Sequence, residues 1–198
     1  MRRRRTLVAA PLALEEALIR SGARGARVRK TGMGPEKSQL AAERLAREPG
    51  EELMVLGFCG GLDAQSRPGE VIVAEEVLAT EDEGHDPLRA SCDGAQQLTD
   101  ALLAAGMTVR AGPIVGVGKI ATGERREQLR AAGALAVDME SPWLAAGAAG
   151  RPFGVVRVVL DSPSHELFRP QALGGAMRAA RVLRAVAAIA LQDHDREG

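Results

Sequence analysis

Short apolar runs and amphipathic segments alternate along the whole chain, and this alternation predicts a fold in which strands and helices follow one another. Several runs, such as the β-branched run at 153–160, are apolar throughout, which is typical of strands buried in a parallel or mixed sheet. The last segment, about 171–191, has apolar residues on one face and arginines on the other, as a helix packed against a sheet requires. The predicted strands span 6–10, 26–30, 53–58, 70–77, 108–115, 134–137 and 153–160, and the predicted helices span 12–21, 35–47, 94–105, 124–132, 141–149 and 171–191. The sequence therefore predicts an α/β fold, with residues 1–198 as one domain.

Three irregular segments interrupt the alternation, and each could border a ligand site. The turn Gly32-Met33-Gly34 precedes a helix that starts at Pro35, so its backbone N–H groups could bind an anion. The pair Gly60-Gly61 follows a buried strand and could let a ligand approach closely, although a tight turn explains it equally well. The acidic segment 79–93 is interpreted as a solvated loop, with a lid over the site as the alternative.

Carboxylates follow two of the predicted strands at the point where each strand ends. Asp138 and Glu140 come after the strand at 134–137, and Asp161 comes after the strand at 153–160. Neighbouring strands of an α/β sheet present such residues side by side at their carboxyl ends, where these folds bind ligands. The alternative is that the two aspartates only cap helices, and the pattern does not choose between these interpretations.

Composition narrows the class of protein without identifying it. The 198 residues carry 26 basic and 26 acidic side chains, so net charge gives no reason to expect a nucleic-acid partner. Two cysteines and three histidines lack the spacing of a disulfide framework or a zinc site. The arginines at positions 2–5 precede an apolar stretch that Glu15 interrupts, so we expect a disordered terminus at 1–5 rather than a signal peptide, and a cytoplasmic protein without a membrane span.

Four segments taken together resemble the purine nucleoside phosphorylase and nucleosidase superfamily. They are Gly57-Phe-Cys-Gly-Gly-Leu62, Arg67-Pro-Gly-Glu-Val-Ile-Val73, Ala136-Val-Asp-Met-Glu-Ser141 and Val156-Arg-Val-Val-Leu-Asp161. Within the superfamily the chain looks most like the hopanoid-associated nucleoside phosphorylases and the methylthioadenosine/S-adenosylhomocysteine nucleosidases. The resemblance implies a three-layer α/β/α domain with a mixed central sheet.

The resemblance also implies a role for individual residues. Asp161 matches the carboxylic acid that protonates the departing purine at N7, and for that it would have to stay protonated near neutral pH. Glu140 matches the carboxylate that holds the ribose hydroxyls, with Met139 packed beside the sugar. Arg157 matches an arginine near the nucleophile, and Glu15 matches the general base of the nucleosidases. The further predicted substrate-binding residues are Asp138, Gly60, Gly61, Phe58 and Ile120, the last in an aliphatic wall formed by residues 119–121.

These roles imply a nucleosidase that releases adenine from a nucleoside with a modified 5′ group, in methionine salvage or hopanoid biosynthesis. A phosphorylase that uses inorganic phosphate is the alternative, because arginines at 21–29 and the Gly32–Gly34 turn could build an anion site. A non-catalytic nucleoside-binding protein is a second alternative, since Phe58 and Pro142 depart from the family pattern. A dinucleotide-binding enzyme fits less well, because Gly116-x-Gly118 lacks the third glycine.

The resemblance further implies an enzyme that needs no cofactor and assembles as a homodimer or a larger homo-oligomer. We expect Trp143, Leu144 and the segment 79–93 to supply contact surface between the subunits.

Overall fold

The computed structural model describes residues 6–79, 87–164 and 172–192, and strands and helices alternate through these ranges as predicted. The predicted disordered terminus at 1–5 lies outside the described residues. The strands are β1 (Thr6–Ala10), β2 (Arg27–Lys30), β3 (Glu52–Gly61), β4 (Val71–Ala79), β5 (Leu88–Ser91), β6 (Val109–Gly116), β7 (Ala136–Asp138) and β8 (Phe153–Asp161). The helices are α1 (Ala13–Gly22), α2 (Pro35–Leu45), α3 (Ala95–Ala104), α4 (Gly123–Ala131), α5 (Ser141–Leu144) and α6 (Ala172–Ala190).

All of these strands belong to one mixed sheet, part of which closes on itself. β3 pairs with β8 in parallel, β8 with β4 antiparallel, and β4 with β6 in parallel. β6 then pairs with β7 in parallel, and β7 returns to β3 antiparallel, which completes a ring of five strands. β1 and β2 extend the sheet from β3, and β5 extends it from β4. The ring brings the ends of β3, β7 and β8 together.

Helices cover the sheet on two sides and give the predicted three layers. α1, α3 and α6 contact one another or the strands over a core that includes Ile19, Leu102 and Leu183. α2 and α5 pack together over a second core that includes Leu45 and Leu144. The prediction of an α/β fold with a mixed central sheet is confirmed. No helix in the described ranges is long and apolar enough to cross a membrane.

β3 is longer than predicted, because the glycine pair at its end forms part of the strand. The sequence predicts that this strand ends at residue 58, whereas Gly60 and Gly61 pair with Val137 and Ala136 of β7. Neighbouring atoms leave no room for a side chain at Gly61, where a Cβ would lie 2.6 Å from the Cβ of Ser66. The glycines are therefore required by close packing in the ring rather than by a turn.

The route by which the carboxylates meet also differs from the prediction. β7 and β8 are not neighbours, since β3 lies between them and runs antiparallel to β7. Nevertheless Gly60 is in register with Val137 on one side and with Asp161 on the other. The residues that follow β7 and those that end β8 thus reach the same edge of the sheet from opposite directions.

Three further expectations need correction. The acidic segment 79–93 contains the strand β5, which pairs with β4 and carries an ion pair between Arg89 and Glu76; residues 80–86 lie outside the described residues. The helix predicted over 141–149 is α5 followed by a 3₁₀ turn, Ala145–Ala148, that ends where Ala149 adopts a left-handed conformation with φ of 50°. Trp143 and Leu144 are buried inside the chain, so neither offers the contact surface expected for a dimer.

We predict that Gly22 is needed for the contact between α1 and α6. A Cβ at Gly22 would lie 2.1 Å from the carbonyl oxygen of Arg184, so Gly22→Ala should lower the free energy of unfolding by about 1–3 kcal/mol. Gly174, an exposed residue in α6 with no atom near its Cβ position, is the matched control. Gly174→Ala should raise the free energy of unfolding by about 0.5–1 kcal/mol. Urea denaturation measures both, and a Gly22→Ala variant as stable as the parent would contradict the close packing described here.

Candidate active site

A cleft opens at the edge of the sheet where β3, β7 and β8 come together. It encloses about 730 Å³ of empty space, including solvent at its mouth, and four carboxylates line it: Glu15, Asp138, Glu140 and Asp161. All of the predicted site residues line the cleft except Arg157 and Gly61. The fold therefore gathers into one place residues from α1, β3, the loop before α4, the β7–α5 junction and β8.

Arg157 lies beneath the cleft and is completely buried. Its Nη2 is 2.7 Å from Asp138 Oδ2 and 3.4 Å from Glu140 Oε2, and it donates a 2.9 Å hydrogen bond to Ser141 Oγ. Because Arg157 does not line the cleft, a role near the nucleophile, as the resemblance implies, would act through the carboxylates above it and not by direct contact. Arg157 instead holds the β7–α5 junction and supplies positive charge to the carboxylates above it.

Asp138 performs the capping role that the sequence left open, and it also pairs with this arginine. Its Oδ1 accepts 3.2 Å hydrogen bonds from the backbone N–H groups of Glu140 and Ser141, and its Oδ2 accepts a bond from the Ser141 hydroxyl. The start of α5 is fixed by these bonds. Because both of its carboxylate oxygens have partners within the protein, Asp138 orients Glu140 rather than presenting a free carboxylate to a ligand.

Glu15 is held in the floor of the cleft by two backbone hydrogen bonds. Its Oε2 accepts from Leu12 N at 2.7 Å, and its Oε1 accepts from Phe58 N at 2.7 Å. The residue is only 2% exposed, and burial raises the pKa of Glu15, while Arg157 and the two N–H groups oppose that rise. Each oxygen keeps a further lone pair for another donor. An oriented carboxylate with a raised pKa has the properties of a general base that works near neutral pH.

Glu140 lies opposite the glycine turn that the sequence marked as a possible anion site. The backbone N–H of Gly34 donates to Glu140 Oε1 at 3.3 Å, so this N–H group already serves a carboxylate of the protein itself. Burial raises the pKa of Glu140 to about 7, with Arg157 lowering it and Asp138 raising it. Three carboxylates thus share one buried cation, and the proton on Glu140 is held more tightly than on a solvated glutamate.

Asp161 makes an ion pair that the sequence analysis did not anticipate. Arg126 Nη2 lies 2.5 Å from Asp161 Oδ2, and Arg126 is itself only 7% exposed although it lines the cleft. The carboxyl group of Asp161, expected here as an acid, is therefore paired with a guanidinium in this structure. One signal could have revealed Arg126: it lies three residues before the buried Leu129, on the inward face of α4.

The two glycines at the end of β3 have separate roles. A Cβ at Gly60 would lie 3.0 Å from Arg126 Nη2 and 3.2 Å from Asp161 Oδ1, so this glycine makes room for the ion pair. Gly61 does not line the cleft, because Ser66 occupies the space in front of it. The cleft lining therefore gives no support to the substrate contact predicted at Gly61, which stays a prediction.

Apolar side chains form the rest of the lining. Phe58 and Met139 are partly buried in the wall, and Ile120, which is 71% exposed, stands at the rim with Leu12 and Met33. Among the described residues no cluster of histidine, cysteine, aspartate and glutamate has the arrangement of a metal site. The cleft therefore offers carboxylates at its floor, one ion pair at its side and an apolar mouth.

Comparison with known proteins relates this arrangement to one family. A sequence model described as the phosphorylase superfamily matches residues 15–188. No curated protein matches the chain by sequence. Among solved structures, the S-adenosylhomocysteine nucleosidase from Streptococcus pyogenes, in complex with 5-methylthiotubericidin, has a TM-score of 0.77 at 19% identity, covering 95% of this chain and 98% of that one.

Two further solved structures have the same fold at similar identity. The 5′-methylthioadenosine/S-adenosylhomocysteine nucleosidase from Neisseria meningitidis, in complex with methylthio-immucillin-A, has a TM-score of 0.73 at 20% identity and covers 93% of this chain and 99% of that one. The futalosine hydrolase of Helicobacter pylori has a TM-score of 0.74 at 15% identity, with 94% of each chain covered. At these identities the likeness concerns the fold.

We predict that Glu140 makes the stability of the protein depend on pH. The folded state keeps the Glu140 proton up to about pH 7, whereas the unfolded chain loses it near 4.5. The free energy of unfolding should therefore fall as the pH rises between these values, and Glu140→Gln should lose less stability than the parent over that range, by about 1–3 kcal/mol.

Urea denaturation at pH 5 and pH 8 provides the measurement. Glu127→Gln, which changes an exposed glutamate of α4, is the control and should follow the parent at both pH values. If Glu140→Gln lost as much stability as the parent between pH 5 and pH 8, Glu140 would not hold its proton as described.

Proposed function

The chain belongs to the phosphorylase superfamily, enzymes that act on N-glycosyl bonds, and we propose that it is a purine nucleosidase that uses water as the nucleophile. Its proposed substrate is an adenine nucleoside with an apolar group at the 5′ position. The observation that carries this proposal is the buried, doubly hydrogen-bonded carboxylate of Glu15 in the floor of the cleft.

The charge around Glu15 supports water rather than phosphate as the nucleophile. Phosphate is a dianion and requires several cations and N–H groups that converge on it. In the cleft the N–H groups of Phe58 and Gly34 already donate to Glu15 and Glu140, and Arg157 is buried below them. Three carboxylates in this region would repel a phosphate, whereas Glu15 could accept a proton from water.

Of the three arginines at 21–29 that might have built a phosphate site, Arg27 and Arg29 have other partners, as does Arg20 just before them. Arg27 donates to the carbonyl oxygen of Pro49, and Arg29 forms an ion pair with Glu48. Arg20 bonds Glu16 and the carbonyl oxygen of Val28. These contacts lie along α1 and β2 and not among the residues that line the cleft. The phosphorylase alternative therefore has less support than the hydrolase.

The remaining residues suggest how the substrate would lie. Glu140 would accept hydrogen bonds from the ribose hydroxyls and place negative charge near the sugar as it becomes cationic in the transition state. Met139 would pack beside the sugar, and the base would point towards Asp161. Leu12, Met33 and Ile120 are exposed at the rim, where an apolar 5′ group could cover them.

We predict that Glu15→Gln abolishes hydrolysis, because a neutral amide cannot take the proton of the attacking water. General bases contribute about 10²–10⁴-fold, so turnover should fall at least 100-fold. Free base and free ribosyl product should be measured by chromatography in phosphate-free buffer, with 5′-methylthioadenosine and adenosine as substrates. Glu16→Gln is the matched control, because Glu16 is the next residue of α1 and pairs with Arg20 at the surface.

A second arm of the same experiment separates water from phosphate. Adding inorganic phosphate should leave the rate and the product unchanged. Release of base only when phosphate is present, with a ribose 1-phosphate product, would show that the enzyme is a phosphorylase. No release from either nucleoside under both conditions would oppose an adenine nucleosidase.

A further inference from the structure

Five side chains on the solvent side of α6 form a stripe that mixes apolar and basic groups. These residues, hereafter the α6 stripe, are Leu173, Met177, Arg178, Arg181 and Arg184. Each lies three or four residues from another member, so all of them share one side of the helix. The leucine and the methionine are 70% and 55% exposed, and the three arginines are exposed as well.

The opposite side of α6 is apolar and holds the helix against the sheet. Ala179, Leu183 and Val186 have no exposure and belong to the core between α6 and the strands. The close contact of Gly22 with the carbonyl oxygen of Arg184 also fixes α6 against α1. A packed helix therefore presents the stripe to solvent as a straight line about 16 Å long.

The arginines of the stripe have no acidic partner in the described part of the chain. α6 contains no aspartate or glutamate, and none of the three guanidinium groups forms an ion pair with a described residue. Arg181 donates to the carbonyl oxygen of Met177, within the helix itself. In contrast, Arg20, Arg29 and Arg89 each pair with a glutamate at the surface. The stripe thus carries three positive charges that the described residues leave uncompensated.

Exposed aliphatic side chains beside these charges favour one kind of anionic partner. Helices that lie on membranes combine arginines with apolar residues, which enter the boundary between headgroups and acyl chains. A nucleic acid would use the arginines through its phosphates, but it would give Leu173 and Met177 no comparable apolar environment. The stripe also lies apart from the residues that line the cleft, so a substrate in the cleft does not account for it.

We propose that the α6 stripe docks the protein onto an anionic lipid bilayer. Leu173 and Met177 enter the headgroup region, and the three arginines bind lipid phosphates. The association is peripheral and depends on salt, because it rests on charge and two side chains. It does not depend on the proposed function, since no residue of the stripe lines the cleft.

The apolar end of the stripe is the end nearer to the cleft. Gly175 packs against Pro68, and the next residue, Gly69, donates its N–H to the carbonyl oxygen of Val159 at 2.9 Å. Val159 is two residues before Asp161, which lines the cleft. α6 therefore begins at the end of the sheet where the cleft lies, and docking brings this end of the protein to the lipid.

Flotation with lipid vesicles tests the proposal on the full chain. Vesicles of phosphatidylcholine would be compared with vesicles of phosphatidylcholine and phosphatidylglycerol in equal parts, at about 0.1 M salt. The parent protein should float with the anionic vesicles only, and it should be released at about 1 M salt, where the Debye length falls to about 3 Å. A parent protein that ignores the anionic vesicles, or that binds both kinds equally, would overturn the proposal.

Charge-reversal variants assign the binding to the stripe. An arginine near an anionic surface contributes roughly 5-fold to binding, so the double variant Arg181→Glu/Arg184→Glu should bind at least about 30-fold more weakly than the parent. Arg44→Glu/Arg47→Glu makes the same change at two exposed arginines at the end of α2 and should bind like the parent. Equal loss in both double variants would show an effect of overall charge and contradict the proposal. Unchanged thermal unfolding checks that each variant is folded.

An apolar pair of variants tests insertion separately from charge. Met177→Ser should weaken binding to the anionic vesicles by about 10-fold, because a buried methionine side chain is lost from the lipid. Leu40→Ser in α2 is the control, since Leu40 is also 55% exposed, and it should bind like the parent. If Met177→Ser bound as tightly as Leu40→Ser, the apolar part of the stripe would not enter the bilayer and the proposal would fail.

Two rival sources of binding are distinguished by the same assay. The four arginines at positions 2–5 could also attract anionic lipid, so a variant with all four changed to glutamine should still float with the vesicles. Binding that is lost in this variant and kept in Arg181→Glu/Arg184→Glu would overturn the proposal. So would a parent protein that binds duplex DNA through Arg181 and Arg184 but does not bind vesicles, because the stripe would then be a nucleic-acid surface.

Discussion

The buried guanidinium of Arg157 is the interaction on which the rest of the cleft depends. It lies in the middle of β8, with no exposure to solvent, and contacts Asp138, Glu140 and Ser141 at the junction of β7 and α5. A Cβ at Gly57 would strike both Arg157 and Glu15, so α1 also meets this cation, across the bare backbone of β3. Removing one partner of a buried ion pair leaves an uncompensated charge, which costs about 3–5 kcal/mol. The guanidinium of Arg157 therefore links β8, the β7–α5 junction and α1, which are far apart along the chain.

One cation cannot fully compensate three carboxylates, and this imbalance gives the floor of the cleft its chemistry. Asp138 lies nearest to Arg157 and accepts backbone hydrogen bonds as well, so it has the closest contact with the cation. Glu15 and Glu140 share what remains, and burial raises the pKa of each. At the opposite side Asp161 has its own cation in Arg126. The cleft thus has two carboxylates with raised pKa values at its floor and the ion pair of Asp161 and Arg126 at its side.

A feature of the cleft could be predicted from the sequence where it depends on residues close together in the chain, and not where it depends on contacts between distant segments. Asp138, Glu140 and Asp161 were found because polar residues that follow buried strands are a local pattern, although the assumed neighbouring of β7 and β8 was wrong. Glu15 carries no such pattern and was identified only through the resemblance to a family. The sequence left open whether Gly60 and Gly61 form a turn or let a ligand approach, since it does not show that Arg126 and Ser66 occupy the space in front of them. Arg126 itself was missed, because an arginine in a short polar helix is ordinarily assigned to solvent.

The position of Asp161 shows why its pairing with Arg126 could not be predicted from a local sequence pattern. The register of β3 and β8 runs evenly from Leu53 with Phe153 to Cys59 with Val159, and then shifts so that Gly60 faces Asp161 instead of Leu160. A shift by one residue turns a side chain to the other face of a strand, and bulges near functional sites often redirect a side chain in this way. Without the shift, Leu160 would stand opposite Gly60, and Asp161 would lose the place beside Arg126 that the missing Cβ provides. The glycine, the bulge and the buried arginine therefore act together to place Asp161 beside Arg126.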